Sequence, residues 1–127
     1  MTEPRKRQRK MPGNTYKVTT GCGNAYITIT HDEQGLAEVF MTLGKSGGCA
    51  AAQSEAVCRL ISMALRSGVQ PAEIVDQLRG IRCPTPMMFP KEEWTLSCAD
   101  GIARVLAEEA GLKWEVNDNG KETGSSQ

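Results

Sequence analysis

The chain has 127 residues, which is enough for one domain of ordinary size and too few for a second. Its 15 Lys and Arg balance 15 Asp and Glu, and it lacks both a bilayer-length apolar stretch and the apolar segment of a secretory signal. We therefore expect a cytoplasmic location, and we expect neither a membrane nor a nucleic acid as partner.

The two ends of the chain have the composition of linkers. Residues 1–14 are polar and basic and contain Pro4 and Pro12, while residues 117–127 are polar without an apolar cluster. These compositions predict a disordered basic linker and a disordered tail on either side of one domain at residues 15–116.

Three segments with a period of two follow the linker. Apolar positions alternate with polar ones, and polar or glycine-containing residues separate the segments, which predicts three strands. The third strand is expected to pair antiparallel with the second. The alternating positions are Tyr16, Val18 and Thr20, then Ala25, Ile27 and Ile29, then Ala37, Val39, Met41 and Leu43.

The pattern becomes helical after the glycines near residue 48. An apolar stripe predicts a long helix over residues 50–66 with Gly68 as its C-terminal cap. Pro71 and Gly80 bound a second, shorter helix, and Ser97 with Asp100 forms a capping arrangement for a third. The stripe consists of Val57, Leu60, Ile61, Ala64 and Leu65. The fold class is therefore α+β: an antiparallel three-stranded sheet packed on one long and two shorter helices.

Four of the five cysteines stand at loops or at the ends of elements. An odd number of cysteines in a reducing compartment favours metal ligation or free thiols over structural disulfides. Zinc needs four ligands from segments that converge, and glycine and proline turns allow convergence, although no pair has C-x-x-C spacing. The alternative is that some are small buried apolar residues. The four are Cys22, Cys49, Cys83 and Cys98; Cys58 lies inside the long helix and is assigned to the core.

Two other features suggest sites less strongly. His31, the only histidine, lies in a polar turn, and we expect it to be solvated rather than a ligand. The run 44–48 contains Gly-Lys-Ser, but the glycine that a phosphate loop needs five residues earlier is Val39, so this is not a Walker A motif. The run either offers backbone N–H groups to an anion such as a nucleotide phosphate, or simply makes the strand-to-helix turn.

Four blocks of the sequence resemble a known family, the TSCPD domain that closes many adenosylcobalamin-dependent (class II) ribonucleotide reductases. They lie at residues 15–29, 43–52, 80–84 and 96–103, in family order. The motif that names the family is changed here, since Leu96 stands in place of its first residue and Ala99 in place of its proline. The resemblance implies a free-standing version of that domain.

The resemblance also implies a ligand set and a partner. Cys22, Cys49, Cys83 and Cys98 fall inside the family blocks, which makes them the expected zinc ligands. The reductase's active-site cysteine and cobalamin-binding surface belong to a large barrel that 127 residues cannot contain, so no catalytic residue is assigned and cobalamin would enter only through a reductase chain. The expected function is an accessory or partner domain for deoxyribonucleotide synthesis. The alternatives are a thiol redox protein serving a reductase and a nucleotide-phosphate-binding domain.

Overall fold

The computed structural model describes residues 3–44, 48–89, 94–116 and 122–123. Three strands come first in the chain, followed by three helices and a small hairpin. The elements are β1 (Gly13–Thr20), β2 (Gly23–Asp32), β3 (Gly35–Leu43), α1 (Gly48–Arg66), α2 (Pro71–Leu78), α3 (Cys98–Glu109), β4 (Glu115–Val116) and β5 (Glu122–Thr123). The predicted α+β class is confirmed.

The sheet has the order β1-β2-β3, and both pairings are antiparallel. Tight turns join the strands, and Gly23 and Gly35 occupy them with positive φ, a conformation that glycine adopts without strain. Alternate side chains therefore point to one face, which carries Val18, Ile27 and Val39 into the core. Along β1 and β2, the buried residues alternate with more exposed ones, as the sequence pattern predicted.

The helices cover one face and one edge of the sheet. α1 packs along β3, and α3 packs on β1 and β2 with α2 beside it. α3 lies close to its neighbours at Gly101, because a Cβ there would lie 3.2 Å from the Thr95 side chain and 3.4 Å from the Val18 side chain. At the free edge of β3, the Ser62 hydroxyl accepts from the Val39 N–H at 2.9 Å and lies 3.2 Å from its carbonyl oxygen. That edge is thus hydrogen-bonded to α1.

The buried stripe of α1 differs from the predicted one. The helix buries Ser54, Cys58, Ile61, Ser62 and Leu65, whereas Leu60 is 65% exposed. The predicted stripe shares only Ile61 and Leu65 with this buried set. The buried side also takes up serines, and Ser62 finds its hydrogen-bond partner on β3, which an apolar pattern does not reveal. Cys58 lies in the core as predicted, and burial raises its pKa to about 12.

The last turn of α3 is tied to the sheet by a polar cluster around Glu109. Its carboxylate accepts from the Tyr16 hydroxyl at 2.5 Å and from the Asn14 amide, and it lies 2.6 Å from His31 Nε2. Burial alone would raise the pKa of Glu109, but these partners outweigh it and hold the pKa below its ordinary value. His31 is therefore paired, and the expectation that it would be only solvated is wrong.

The segment before β1 makes specific contacts with the domain. Arg5 donates to both carboxylate oxygens of Asp32, and its backbone is hydrogen-bonded to Arg66 in both directions. β1 begins at Gly13, inside the predicted linker. The division into 1–14, 15–116 and 117–127 stays a prediction, and residues 117–121 and 124–127 of the predicted tail lie outside the described residues. None of the described helices is sufficiently long and apolar to span a lipid bilayer.

Candidate cysteine site

Three of the four candidate cysteines line one cavity. Cys22, Cys83 and Cys98 border a space of about 210 Å³ whose surface is mostly apolar. They come from the β1–β2 turn, the loop after α2 and the first residue of α3, so the fold gathers positions that are far apart in the sequence. The first turns of α1 also line the cavity, through Ala50, Gln53, Ser54 and Val57.

The β1–β2 turn places Cys22 at this cavity through the hydroxyl of Thr20. Thr20 Oγ1 donates to the Gly23 carbonyl at 2.8 Å and accepts from the Cys22 N–H at 3.1 Å. This is a local side-chain-to-backbone turn of the kind that threonine favours. The Cys98 thiol also donates to Thr20 Oγ1, at 3.8 Å. One buried hydroxyl therefore links the turn to α3.

Sequence reasoning assigned Thr20 to a strand and did not identify it as part of the site. The available signal was its position directly before Gly-Cys-Gly, where a threonine hydroxyl can bond the backbone two residues on. Gly21, in the same turn, packs so tightly against the loop after α2 that an added Cβ would lie 1.6 Å from the Thr85 carbonyl oxygen. The two loops that carry Cys22 and Cys83 are thus in direct contact.

The start of α3 fixes Cys98 and Cys83 relative to each other. Ser97 is the N-cap, and its hydroxyl accepts from the Asp100 N–H at 3.1 Å while donating to the Ile81 carbonyl at 2.6 Å. The fully buried Asp100 carboxylate accepts from the N–H groups of Gly80 and Leu96 at 2.9 and 3.0 Å. The predicted capping arrangement is present, and it also fastens the end of the α2 region to α3.

The loop between α2 and α3 returns on itself as an irregular hairpin. The Cys83 N–H donates to the Leu96 carbonyl at 2.9 Å, and Met87 and Thr95 form an isolated antiparallel bridge. No regular helix forms in the described part of residues 81–94, as the prolines predicted. Cys83 is therefore held against the residue that precedes the α3 cap.

Cys98 is the most enclosed of the candidate thiols. Burial raises its pKa above the ordinary value of a thiol, and the neighbouring Cys22 sulfur acts in the same direction. The hydroxyls of Thr20 and Ser54 oppose this shift without cancelling it. As it stands in this cavity, Cys98 favours the neutral thiol.

Cys49 is exposed near the start of α1 and does not line the cavity, although the next residue, Ala50, does. Gly48, which begins the helix, has a φ of 65°, so the glycine makes the turn into α1. Residues 45–47, on which most of the anion-binding hypothesis rests, lie outside the described residues.

The donor set suits zinc in its chemistry, since thiolate sulfur is a preferred zinc ligand. In position, the structure brings three of the four thiols to one cavity and leaves Cys49 at its margin. Within residues 3–44, 48–89 and 94–116, no three side chains of His, Cys, Asp or Glu lie close enough together to hold a metal ion. The four sulfur atoms would have to converge further for a tetrahedral site.

Comparison with known proteins agrees with the four sequence blocks. The model of the family described as TSCPD domain matches residues 2–110. Searches of curated proteins and of solved structures each returned no match. The family match includes the turn of Cys22, the start of α1, the loop of Cys83 and the capped start of α3, and it spans most of the chain. The chain therefore belongs to the TSCPD domain family, which relates it to the C-terminal region of ribonucleotide reductases.

Proposed function

We propose that this protein is an accessory or partner domain of a ribonucleotide reductase, that it binds one zinc ion through Cys22, Cys49, Cys83 and Cys98, and that it is not catalytic alone. The observation that carries the proposal is the meeting of three of these cysteines at one cavity in a chain of the TSCPD family. We expect it to act in the cytoplasm, where thiols stay reduced.

A structural role for the metal follows from where the ligands are attached. Each cysteine belongs to a different segment: the β1–β2 turn, the start of α1, the loop after α2 and the start of α3. Four thiolates occupy every position of a tetrahedral zinc, which leaves none for substrate and is the arrangement of structural sites. Zinc bound there would fasten two loops and two helix starts, and it would favour the thiolate form of Cys98 against the effect of burial.

Metal content is the direct test of the zinc proposal. The protein is purified without added zinc, and metal is measured by mass spectrometry for the wild type and for Cys22→Ser, Cys83→Ser and Cys98→Ser. We expect about one zinc per chain, bound by four cysteines, and its loss in each variant. Cys58→Ala is the matched control, since Cys58 is buried in the core, and it should keep its metal.

The outcome that would contradict zinc binding is metal-free protein whose cysteines react freely with a thiol reagent. Such a result would favour the second candidate, a thiol redox protein that serves a reductase. One contact favours it: the sulfur atoms of Cys22 and Cys98 are close enough to influence each other. A redox role requires a reversible disulfide between them, visible as a mass loss of two hydrogens that a reductant restores.

The reductase partner is tested by affinity capture with the full chain from cells that contain a class II enzyme. Recovery of the large catalytic chain, and loss of that recovery after zinc removal, is the expected result. Capture of other proteins without a reductase chain would contradict the partner role. For the nucleotide-phosphate alternative, titration with nucleotides should shift the amide signal of Gly48, and an unchanged signal would exclude it.

A further inference from the structure

One face of the sheet is left open by the helices. In the described residues, α3 packs on the side that holds the core, and α1 packs along β3. Six side chains that point the other way are exposed or half-exposed, and we call the surface they form the outer sheet face. It consists of Lys17 and Thr19 of β1, Tyr26 and Thr28 of β2, and Phe40 and Thr42 of β3.

Two aromatic rings stand on neighbouring strands of this face. Tyr26 and Phe40 are 42% and 45% exposed. Tyr26 pairs with Thr42 and Phe40 pairs with Thr28, so the two aromatic residues are diagonal neighbours across β2 and β3. Residues in this relation have Cα atoms about 7–8 Å apart. Exposed rings on the face of a sheet, at such a spacing, can each stack one unpaired base of a nucleic acid.

The surroundings of the two rings are polar. The hydroxyls of Thr15 and Thr28 lie 2.7 Å apart, and the Thr19 hydroxyl donates to the Asn24 side-chain oxygen at 3.0 Å. A sheet or helix of another protein would need a continuous apolar patch at the centre of the interface, whereas this face offers separate rings among polar residues. Bases need only the rings, and threonine and asparagine side chains can bond sugars and phosphates.

The segment before β1 brings positive charge to this face. We call residues 5–10 the basic arm. Arg7 pairs with Glu38 and lies over the Phe40 ring, with its guanidinium carbon 5.9 Å from the ring centre. This contact places the arm beside one of the two rings and still leaves Phe40 nearly half-exposed. Lys6 and Arg9 lie within two residues of Arg7, so their charges are held near that ring.

Four cations of this region have no carboxylate partner in the part of the chain that the structure describes. The carboxylates of Asp32 and Glu38 are buried, and arginines already pair with both. Lys17 stands directly opposite Tyr26 in the β1–β2 register, beside the second ring. The even charge balance of the whole chain, from which we expected no nucleic-acid partner, therefore hides a local surplus of positive charge. The four exposed cations are Lys6, Arg9, Lys10 and Lys17.

We propose that the outer sheet face and the basic arm bind single-stranded nucleic acid. Two bases stack on Tyr26 and Phe40, and the phosphates beside them pair with Lys17 and with the exposed cations of the arm. A duplex does not fit, because its bases are already stacked and paired and cannot reach rings that lie on a sheet. DNA and RNA strands share the bases and phosphates that this site uses. The site lies apart from the cysteine cavity and goes beyond the proposed partner role.

The test is fluorescence anisotropy of labelled oligonucleotides of about twelve nucleotides, titrated with the full chain as purified. We expect oligothymidylate, oligouridylate or both to bind with a dissociation constant of about 1–100 μM in low salt, and the comparison shows whether DNA or RNA is favoured. An abasic strand of equal length and the matching duplex should each bind about tenfold more weakly, because stacking on the rings is lost. Equal binding of the abasic strand or of the duplex would overturn the proposal, and so would the absence of binding by either single strand.

Variants separate stacking from charge. Tyr26→Ala and Phe40→Ala should each weaken binding about tenfold, whereas Phe89→Ala, which removes an aromatic that is 85% exposed in the loop between α2 and α3, should not. Phe40→Tyr keeps a ring and should bind as the wild type does. Lys17→Ala should reduce the slope of log affinity against log salt by about 0.7, and Lys113→Ala, at an exposed lysine after α3, should leave it unchanged. Unchanged binding after both rings are removed, or an equal loss in Phe89→Ala, would contradict stacking on this face.

Discussion

Replacing Asp100 with alanine should destabilise the domain more than any other single change at the start of α3. The carboxylate of Asp100 is fully buried and accepts two backbone hydrogen bonds, from Gly80 and from Leu96. Alanine would keep the helix but leave both N–H groups without an acceptor. The change thus removes the link between the end of the α2 region and the cap of α3.

The expected loss in the free energy of unfolding depends on the N–H groups that lose their acceptor. A buried N–H left without a partner costs about 1–3 kcal/mol, which applies to Leu96, whereas Gly80 is exposed and its N–H can bond water at a smaller cost. The two together should lower the free energy of unfolding by roughly 2–4 kcal/mol. A domain of this size is stable by about 5–15 kcal/mol, so the loss is a large fraction of the total. Asp100→Asn, which keeps one side-chain oxygen, should lose about half as much.

Urea unfolding followed by circular dichroism measures the loss. Asp76→Ala is the matched control, because Asp76 is exposed on α2, and it should change the free energy of unfolding by less than about 0.5 kcal/mol. In the same samples, amide hydrogen exchange at Gly80 and Leu96 should accelerate in Asp100→Ala. A loss below about 1 kcal/mol, or unchanged exchange at both amides, would refute the view that this carboxylate fastens the loop to the helix.

Four further predictions concern other contacts. Gly21→Ala should cost about 2 kcal/mol or more in urea unfolding, because the new Cβ would overlap the Thr85 carbonyl oxygen. Ser62→Ala should cost about 1–2 kcal/mol, because the edge of β3 loses its hydrogen bonds to α1. Stability should fall with acid, since the pKa of Glu109 is lower in the folded chain than its ordinary 4.5, and its contribution is lost as pH falls through the folded value. It should also fall with base between pH 10 and about 12, because the hydrogen bond to Glu109 raises the pKa of Tyr16 to about 12.

Three of these predictions have a control. Gly44→Ala is the control for Gly21→Ala, because Gly44, like Gly21, has no positive φ and its added Cβ would make only an ordinary contact, 3.4 Å from the Asn24 carbonyl oxygen. A cost at Gly21 no larger than at Gly44 would contradict the contact with Thr85. Ser62 is compared with Ser54, which is also buried on α1, and a similar cost for both would argue against the special role of the edge contact. Tyr16→Phe should remove the loss at high pH, and an unchanged alkaline transition in that variant would contradict the assignment.

Much of the fold could be predicted because its signals are local. Alternation along β1–β3, glycines after the helices and the Ser97–Asp100 cap depend on neighbours in sequence, and the structure shows positive φ at Gly68, Gly80 and Gly111. The buried face of α1 was predicted less well. Ser62, on its buried side, bonds Val39 of β3, which lies 23 residues away, and no pattern within the helix reveals that partner.

The residues of the candidate site could be predicted only where a local sequence pattern marks them. The cysteines were chosen because they stand beside turns, and three of them line one cavity, but the way in which they come to line it depends on contacts between distant loops. Thr20 could have been noticed from its place before Gly-Cys-Gly. The role of His31 could not, because its partner Glu109 is 78 residues further along the chain.

The side chains at the start of α3 have two separate roles. Ser97 and Asp100 hold the backbone together, while the side chain of Cys98 faces the cavity and contributes nothing to the cap. A relative that kept the serine and the aspartate but replaced the cysteine would retain the same local architecture and would still be recognised by its sequence. In this chain the cap of α3 and the thiol at the cavity therefore belong to the same turn but depend on different side chains.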